Sequence, residues 1–264
     1  SKNTVDSQKL IRQLEAGGYS VMTDSEVAAD IVIINTCGFI NDAREESIET
    51  ILKHAEAIRR EGRGRLLVMG CLVERYRREL QDELPEVDGW FGVNRPQEII
   101  SHLGLAYRPE LNGERVLTGP YHYAYLKISE GCDRTCAFCA IPDIRGRYIS
   151  TPMEELVDEA RLLANGGVRE LILIAQDITL YGTDIYGRQM LPELVSRLSA
   201  IEELGWIRLH YLYPSDFPVE LLEMMQDNPK ICKYIDLPIQ HISDKVLRMM
   251  RREHNSAGTR QLLS

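Results

Sequence analysis

Cys132, Cys136 and Cys139 carry the clearest chemistry in this chain. They are spaced C-x3-C-x2-C and place half of the six cysteines within eight residues. Thiolate sulfur is a soft ligand that selects iron–sulfur clusters, zinc or copper over hard cations. The fourth ligand decides among these. A structural zinc site takes four protein ligands, yet no Cys or His lies close enough in sequence to complete the set. Electron-transfer clusters are likewise held by four cysteines. Three thiolates on a 4Fe–4S cube leave one iron open to a substrate or cofactor, which predicts a reactive site. The alternative is a zinc loop completed by a distant residue such as His122 or His210.

These cysteines must be positioned by what surrounds them. A strand-like run, Tyr123 to Ser129, empties into their loop. A β-α rhythm follows. Helices are expected over Pro152–Asn165 (Thr151 capping, Pro152 in the first turn, Glu154 and Glu155 at the positive end), 191–204, 219–225 and 244–251. Strands are expected over Leu171–Ala175, Ile207–Tyr211 and Tyr234–Ile239. Repeated β-α units predict a parallel barrel or sheet, and four units cannot close an eight-stranded barrel. Catalytic groups of such folds collect at the carboxyl ends of strands. That selects Gln176-Asp177, His210 to Tyr213 and Gln240-His241, unless these side chains merely satisfy loop backbone. Cys232 reads as a buried structural thiol, and Met249-Met250 as core.

The first part of the chain has its own rhythm. Ser1 to Gly18 reads as a helix, with Asp6 or Ser7 able to cap it, and YSVMTD as a short strand or loop. DIVIINT (30–36) and RLLVM (65–69) are apolar throughout, as buried parallel strands are. A helix over Asn41–Arg60 joins them. A charged helix (74–83), a short strand (89–93) and a helix (96–103) follow. Cys37 and Cys71 each fall at the carboxyl end of a strand, beside a Gly. Parallel strands with a right-handed crossover bring such ends to one edge, where open α/β sheets bind ligands. Two buried core cysteines are the competing reading. Residues 108–121, polar and holding Pro109, Gly113, Gly119 and Pro120, read as a linker.

Composition is that of a globular protein, 44% hydrophobic and 27% charged. The net charge of −9 leaves no overall electrostatic footprint for nucleic acid. No apolar tract reaches the roughly 18 residues of a membrane span. The chain opens without Met or a signal-peptide core, which predicts a cytoplasmic protein whose natural start lies upstream.

The three-cysteine motif with Phe138 just before its last Cys resembles the radical S-adenosylmethionine signature. In that family the open iron chelates the methionyl amine and carboxylate, and one electron cleaves the sulfonium to a 5′-deoxyadenosyl radical. SKNTVDS at the start, NTCGFI (35–40) and MGCL (69–72) resemble the N-terminal domain of the methylthiotransferase branch. EGCDRTCAFCAIPDIRG and YPSDFP…CKYIDLPIQHIS are most similar to members that act on an aspartate of a small-subunit ribosomal protein. The resemblance implies an α/β protein: an open parallel-sheet domain (1–107), a linker (108–121) and a truncated partial (β/α) barrel (122–264), with the last part of the barrel and a small β-domain missing. It further implies two 4Fe–4S clusters. Cys132, Cys136 and Cys139 would hold one. Cys37, Cys71 and an upstream cysteine absent from this chain would hold the other. S-adenosylmethionine would lie near Phe138, Gln176 and Gln240, although Ala175-Gln176-Asp177 replaces the family's Gly-Gly-Glu. The implied reaction attaches a methylthio group to the aspartate β-carbon, with the ribosomal protein and an external electron donor as partners and no membrane. A tRNA adenosine methylthiotransferase and a non-catalytic iron–sulfur or metal-binding protein are the alternatives.

Overall fold

The structure is a computed structural model and describes residues 2–23 and 29–264. Its contacts divide it into two units: Asn3–Thr118 with Asp143–Arg145, and Gly119–Pro142 with Gly146–Ser264 and Lys2.

The first unit contains α1 (Lys2–Ala16), β1 (Ile31–Thr36), α2 (Asn41–Glu61), β2 (Arg65–Gly70), α3 (Cys71–Glu83), β3 (Gly89–Phe91) and α4 (Pro96–His102). The strands form a parallel sheet in the order β1-β2-β3. Side chains of a strand alternate between faces, and β2 shows the consequence. Leu66 and Val68 pack with Ile51 of α2 and Leu72 of α3. Leu67 and Met69 pack with Leu10 and Leu14 of α1 and Ile99 and Ile100 of α4. The sheet is therefore covered on both sides, which explains the unbroken apolar runs. Residues 19–23 are irregular, and Asp24, the last of YSVMTD, lies outside the described residues. Ser1, the first residue of the expected helix, also lies outside them. Asp6 and Ser7 do not cap α1. The helix starts at Lys2, so both sit inside it. Residues 108–118 return over α1, where Arg12 pairs with Glu114 at 2.8 Å and Gln13 Nε2 donates to the Arg108 carbonyl at 2.8 Å.

Two glycines let the β1 and β2 ends approach. Gly70 has φ +107°, and a Cβ there would stand 2.5 Å from the Thr36 carbonyl oxygen. At Gly38 a Cβ would stand 2.7 Å from Leu72 Cα. Gly70→Ala is expected to cost about 3 kcal/mol, since strain at positive φ adds to a backbone collision. Gly62→Ala, at φ +66° with nothing within 4 Å, should cost only about 1 kcal/mol. Urea unfolding of both variants checks this, and equal losses would remove the collision from the account.

The second unit contains β4 (Tyr123–Lys127), β5 (Ser129–Glu130), α5 (Ile141–Arg145, its last three residues in the first unit), β6 (Ile149–Ser150), α6 (Met153–Asn165), β7 (Glu170–Ile174), α7 (Thr183–Tyr186), α8 (Leu191–Ser199), β8 (Trp206–Leu209), α9 (Glu220–Asp227), β9 (Ile231–Ile235), α10 (Asp244–Met249) and α11 (Ser256–Leu263). The parallel sheet runs β4-β7-β8-β9 in chain order. Crossovers of one hand between successive neighbours put α6, α8 and α9 on one side, the layout of a partial barrel.

Several expectations need correction. The strand from Tyr123 breaks after Lys127, because Ser129-Glu130 pairs antiparallel with Ile149-Ser150. Pro152 is the N-cap of α6 rather than its first turn, and Thr151 does not cap it. The last strand lies at 231–235, three residues earlier than its apolar pattern suggests: Ile231 is the buried residue while Tyr234 and Ile235 are exposed. Cys232 is half-buried in that strand. Met249 is exposed rather than core, and Leu247 fills the inward position of α10. Among the described residues no helix is long and apolar enough to cross a membrane.

Candidate functional site

Cys132, Cys136 and Cys139 lie on the loop between β5 and α5, all half-buried. Backbone bonds shape the loop. Cys132 N–H donates to Gly146 O at 3.1 Å, Cys139 N–H to Cys136 O at 3.1 Å, and Ala137 N–H to Met250 O at 3.0 Å beyond α10. Burial above all, with smaller contributions from Asp177, Cys139 and Cys136, pushes the Cys132 thiol up to about 11 against the lowering effect of the Arg134 backbone N–H.

Arg134 fixes this loop to the carboxyl ends of the strands. Its Nε donates to Asp177 after β7 at 3.0 Å, and its Nη1 to Asp216 after β8 at 3.2 Å and to Glu253. The guanidinium lies 4.1 Å from the centre of the Tyr213 ring. Burial opposes its charge, but Asp177 and Glu253 outweigh that and hold its pKa above the ordinary value. Asp177 is pushed up by burial, opposed by Arg134, and its Oδ1 accepts from Thr179 N–H at 2.9 Å. Asp177→Asn is expected to cost about 3 kcal/mol in urea unfolding, because removing one partner strands the other's buried charge. A loss under about 1 kcal/mol would mean that Asp216 and Glu253 satisfy Arg134 unaided.

The other sequence candidates distribute unevenly. Gln176 follows Ala175 at the carboxyl end of β7, and its Nε2 is buried without a hydrogen-bond partner. The Ser215 hydroxyl after β8 is in the same condition. Gln240 is exposed at φ +63°, and Phe138 is 53% exposed. His210 packs against Tyr211 and Tyr234, and burial lowers its pKa. His241 is exposed and its Nδ1 accepts from Ser243 N–H. His122 precedes β4, at the opposite end of the sheet from the cysteine loop. The five-residue strand sets it roughly 16 Å away, which removes it as a fourth ligand for zinc. Among the described residues no three His, Cys, Asp or Glu side chains are grouped to hold a single metal ion.

In the first unit, Cys37 and Cys71 each follow one residue after the register pair Thr36 and Gly70. Cys37 sits in the loop after β1, its N–H donating to Ser47 Oγ at 3.1 Å. Cys71 follows directly on β2, at its carboxyl end as expected, and opens α3, which starts three residues before the helix expected from 74. Its sulfur receives Arg145 Nη2 at 3.5 Å and lies 3.9 Å from Asn3 Oδ1. Asn3 is held in turn: its Nδ2 donates to Thr36 O at 3.0 Å, and Arg145 donates to its Oδ1. Arg145 and Asn3 escaped the sequence reading. Position inside the motif was the available signal for Arg134; Arg145 gave none.

The model of the radical SAM superfamily matches residues 126–263, more than half of the chain, and the chain belongs to that superfamily. Residues 1–92 match the model described as uncharacterized protein family UPF0004. Ribosomal protein uS12 methylthiotransferase RimO of Porphyromonas gingivalis is 53% identical over 264 residues, all of this chain and 61% of the relative. The proteins of that name from Phocaeicola vulgatus and Bacteroides thetaiotaomicron are also 53% identical. The chain spans 61% of the length of these curated relatives. Among solved structures, the radical S-adenosylmethionine methyltransferase TsrM from Kitasatospora setae covers 99% of this chain and 61% of its own, with a TM-score of 0.65 at 15% identity. OxsB, a cobalamin-dependent S-adenosylmethionine radical enzyme, covers 100% of this chain and 40% of its own, with a TM-score of 0.60 at 12% identity. At such identities the likeness is one of fold.

Proposed function

We propose that this chain carries the cluster-binding parts of a radical S-adenosylmethionine methylthiotransferase that attaches a methylthio group to the β-carbon of an aspartate in ribosomal protein uS12. The carrying observation is three thiols at the carboxyl edge of a parallel sheet, in a chain 53% identical throughout to proteins so named. The donor set fits the implied cofactor. Three soft thiols flanked by buried guanidiniums suit an anionic cluster, and the unpartnered Gln176 amide beyond β7 suits a polar ligand beside it.

Cys132, Cys136 and Cys139 hold a 4Fe–4S cluster, and Cys37 and Cys71 supply two ligands of a second. When bound, the first cluster supplies one electron to S-adenosylmethionine. Arg134 keeps the cysteine loop against the strand ends through Asp177. Gln176, whose buried Nε2 has no hydrogen-bond partner, would donate to the cofactor, and the exposed Phe138 and Gln240 would border it. Protein substrate, electron donor and enzyme meet in the cytoplasm, where ribosomes are modified. The test is to incubate the full-length protein, reconstituted with iron and sulfide, with S-adenosylmethionine, reductant and purified uS12. Mass spectrometry should find a methylthio group replacing hydrogen on one aspartate. Modification of tRNA instead would overturn the substrate.

A further inference from the structure

Tyr213 lies between two guanidiniums. Arg134 stands 4.1 Å from the ring centre and Arg252 4.0 Å. Arg252 is 9% exposed. Its Nη1 donates to Cys136 Sγ at 3.4 Å and its Nη2 to the Pro238 carbonyl beyond β9 at 2.6 Å. The Tyr213 hydroxyl lies 3.9 Å from the same sulfur. The chain goes to some lengths to aim Arg252 inward. Arg251, just before it, adopts φ +52°, a left-handed conformation that costs a non-glycine residue about 1 kcal/mol or more and persists where the surroundings over-determine it. The same helix end also accepts the Ala137 amide at Met250 O. The carboxyl end of α10 therefore grips the cysteine loop twice, once by backbone and once by Arg252.

We propose that Arg252 is a positioning residue for the cysteine loop: its fork ties Cys136 to the end of β9, and its N–H and charge support the sulfur as a cluster ligand. The proposal rests on the reading above, in which Cys136 binds iron. Groups that hydrogen-bond metal ligands orient them, and their loss costs ten- to hundredfold in metal affinity. Hydrogen bonds to ligand sulfur and nearby positive charge also favour the reduced, more negative cluster. Lysine keeps the charge but cannot bridge sulfur and carbonyl with one planar group.

The experiment uses the full-length protein with Cys37→Ala and Cys71→Ala, which leaves one cluster site, alone or combined with Arg252→Lys or Arg252→Gln. Circular dichroism checks folding. Readouts are iron and sulfide content, the rate of iron loss to a chelator, and the reduced fraction seen by electron paramagnetic resonance at a fixed dithionite poise. Arg252→Gln should lose iron roughly tenfold faster and show a smaller reduced fraction. Arg252→Lys should recover the reduced fraction more than the retention. If both variants match the parent in every readout, the proposal falls while the cluster assignment stands. A parent that binds no iron would overturn the assignment itself.

Discussion

Replacing Cys132, Cys136 and Cys139 together by Ala abolishes S-adenosylmethionine cleavage by the full-length, reconstituted protein, to the level of the reaction without enzyme. The magnitude follows from the chemistry. No other side chain in the described loop offers soft, anionic sulfur, and the cleavage needs an electron that ordinary side chains cannot deliver. Folding should survive, because the loop is held by Arg134–Asp177 at 3.0 Å and by Ala137–Met250 at 3.0 Å, neither of which involves a cysteine side chain. The measurement is chromatographic detection of 5′-deoxyadenosine beside iron analysis. Cleavage at the parent rate in a folded triple variant would separate the loop from the chemistry.

Much of the fold is legible in the sequence because burial on two faces leaves an unmistakable mark. IVIIN, RLLVM and LILI can be little else than covered parallel strands, and their register brings the cysteine-bearing ends of β1 and β2 to one edge. The reading slips where burial and apolarity part. In β9 only Ile231 is buried, while Tyr234 and Ile235 face outward, so the hydrophobic pattern points to the wrong segment. The start of α6 slips for another reason: Pro152 takes the cap position, with extended ψ, where a first-turn role was expected.

The candidate site divides in the same way. Cysteines announce themselves through type and spacing, and Gln176 through its place after a strand. Arginines do not, since most are solvated and their meaning depends on remote partners. Arg134 meets Asp177 across 43 positions, and Arg252 meets Cys136 across 116. No local pattern encodes such pairs. The buried arginines become visible only when the strands have gathered their partners at one edge. The same holds for Asn3 and Arg145, which meet 142 positions apart beside Cys71.

Cys37→Ala combined with Cys71→Ala leaves S-adenosylmethionine cleavage in place and abolishes methylthio transfer to uS12. The two activities separate because the cysteine pair belongs to a different sheet from the cleavage loop, with its own glycines and polar partners. Gly38 and Gly70 admit backbone so close that a Cβ at either would collide, and the pair of strand ends they serve is the pair that carries the cysteines. Around Cys71 the polar groups are committed: Arg145 donates to the sulfur at 3.5 Å, and Asn3 binds the Thr36 carbonyl. A merely structural thiol needs no buried guanidinium beside it, whereas an anionic sulfur ligand gains a charge-assisted hydrogen bond. The double variant should therefore keep the iron of the cleavage site, lose the remainder, and still yield 5′-deoxyadenosine. Its folding should weaken only modestly, by about 1–2 kcal/mol, since each change removes one small sulfur from a covered position. Methylthio product at the parent level would return Cys37 and Cys71 to the core. Loss of cleavage together with transfer would show that the two cysteine sets do not act as separate sites.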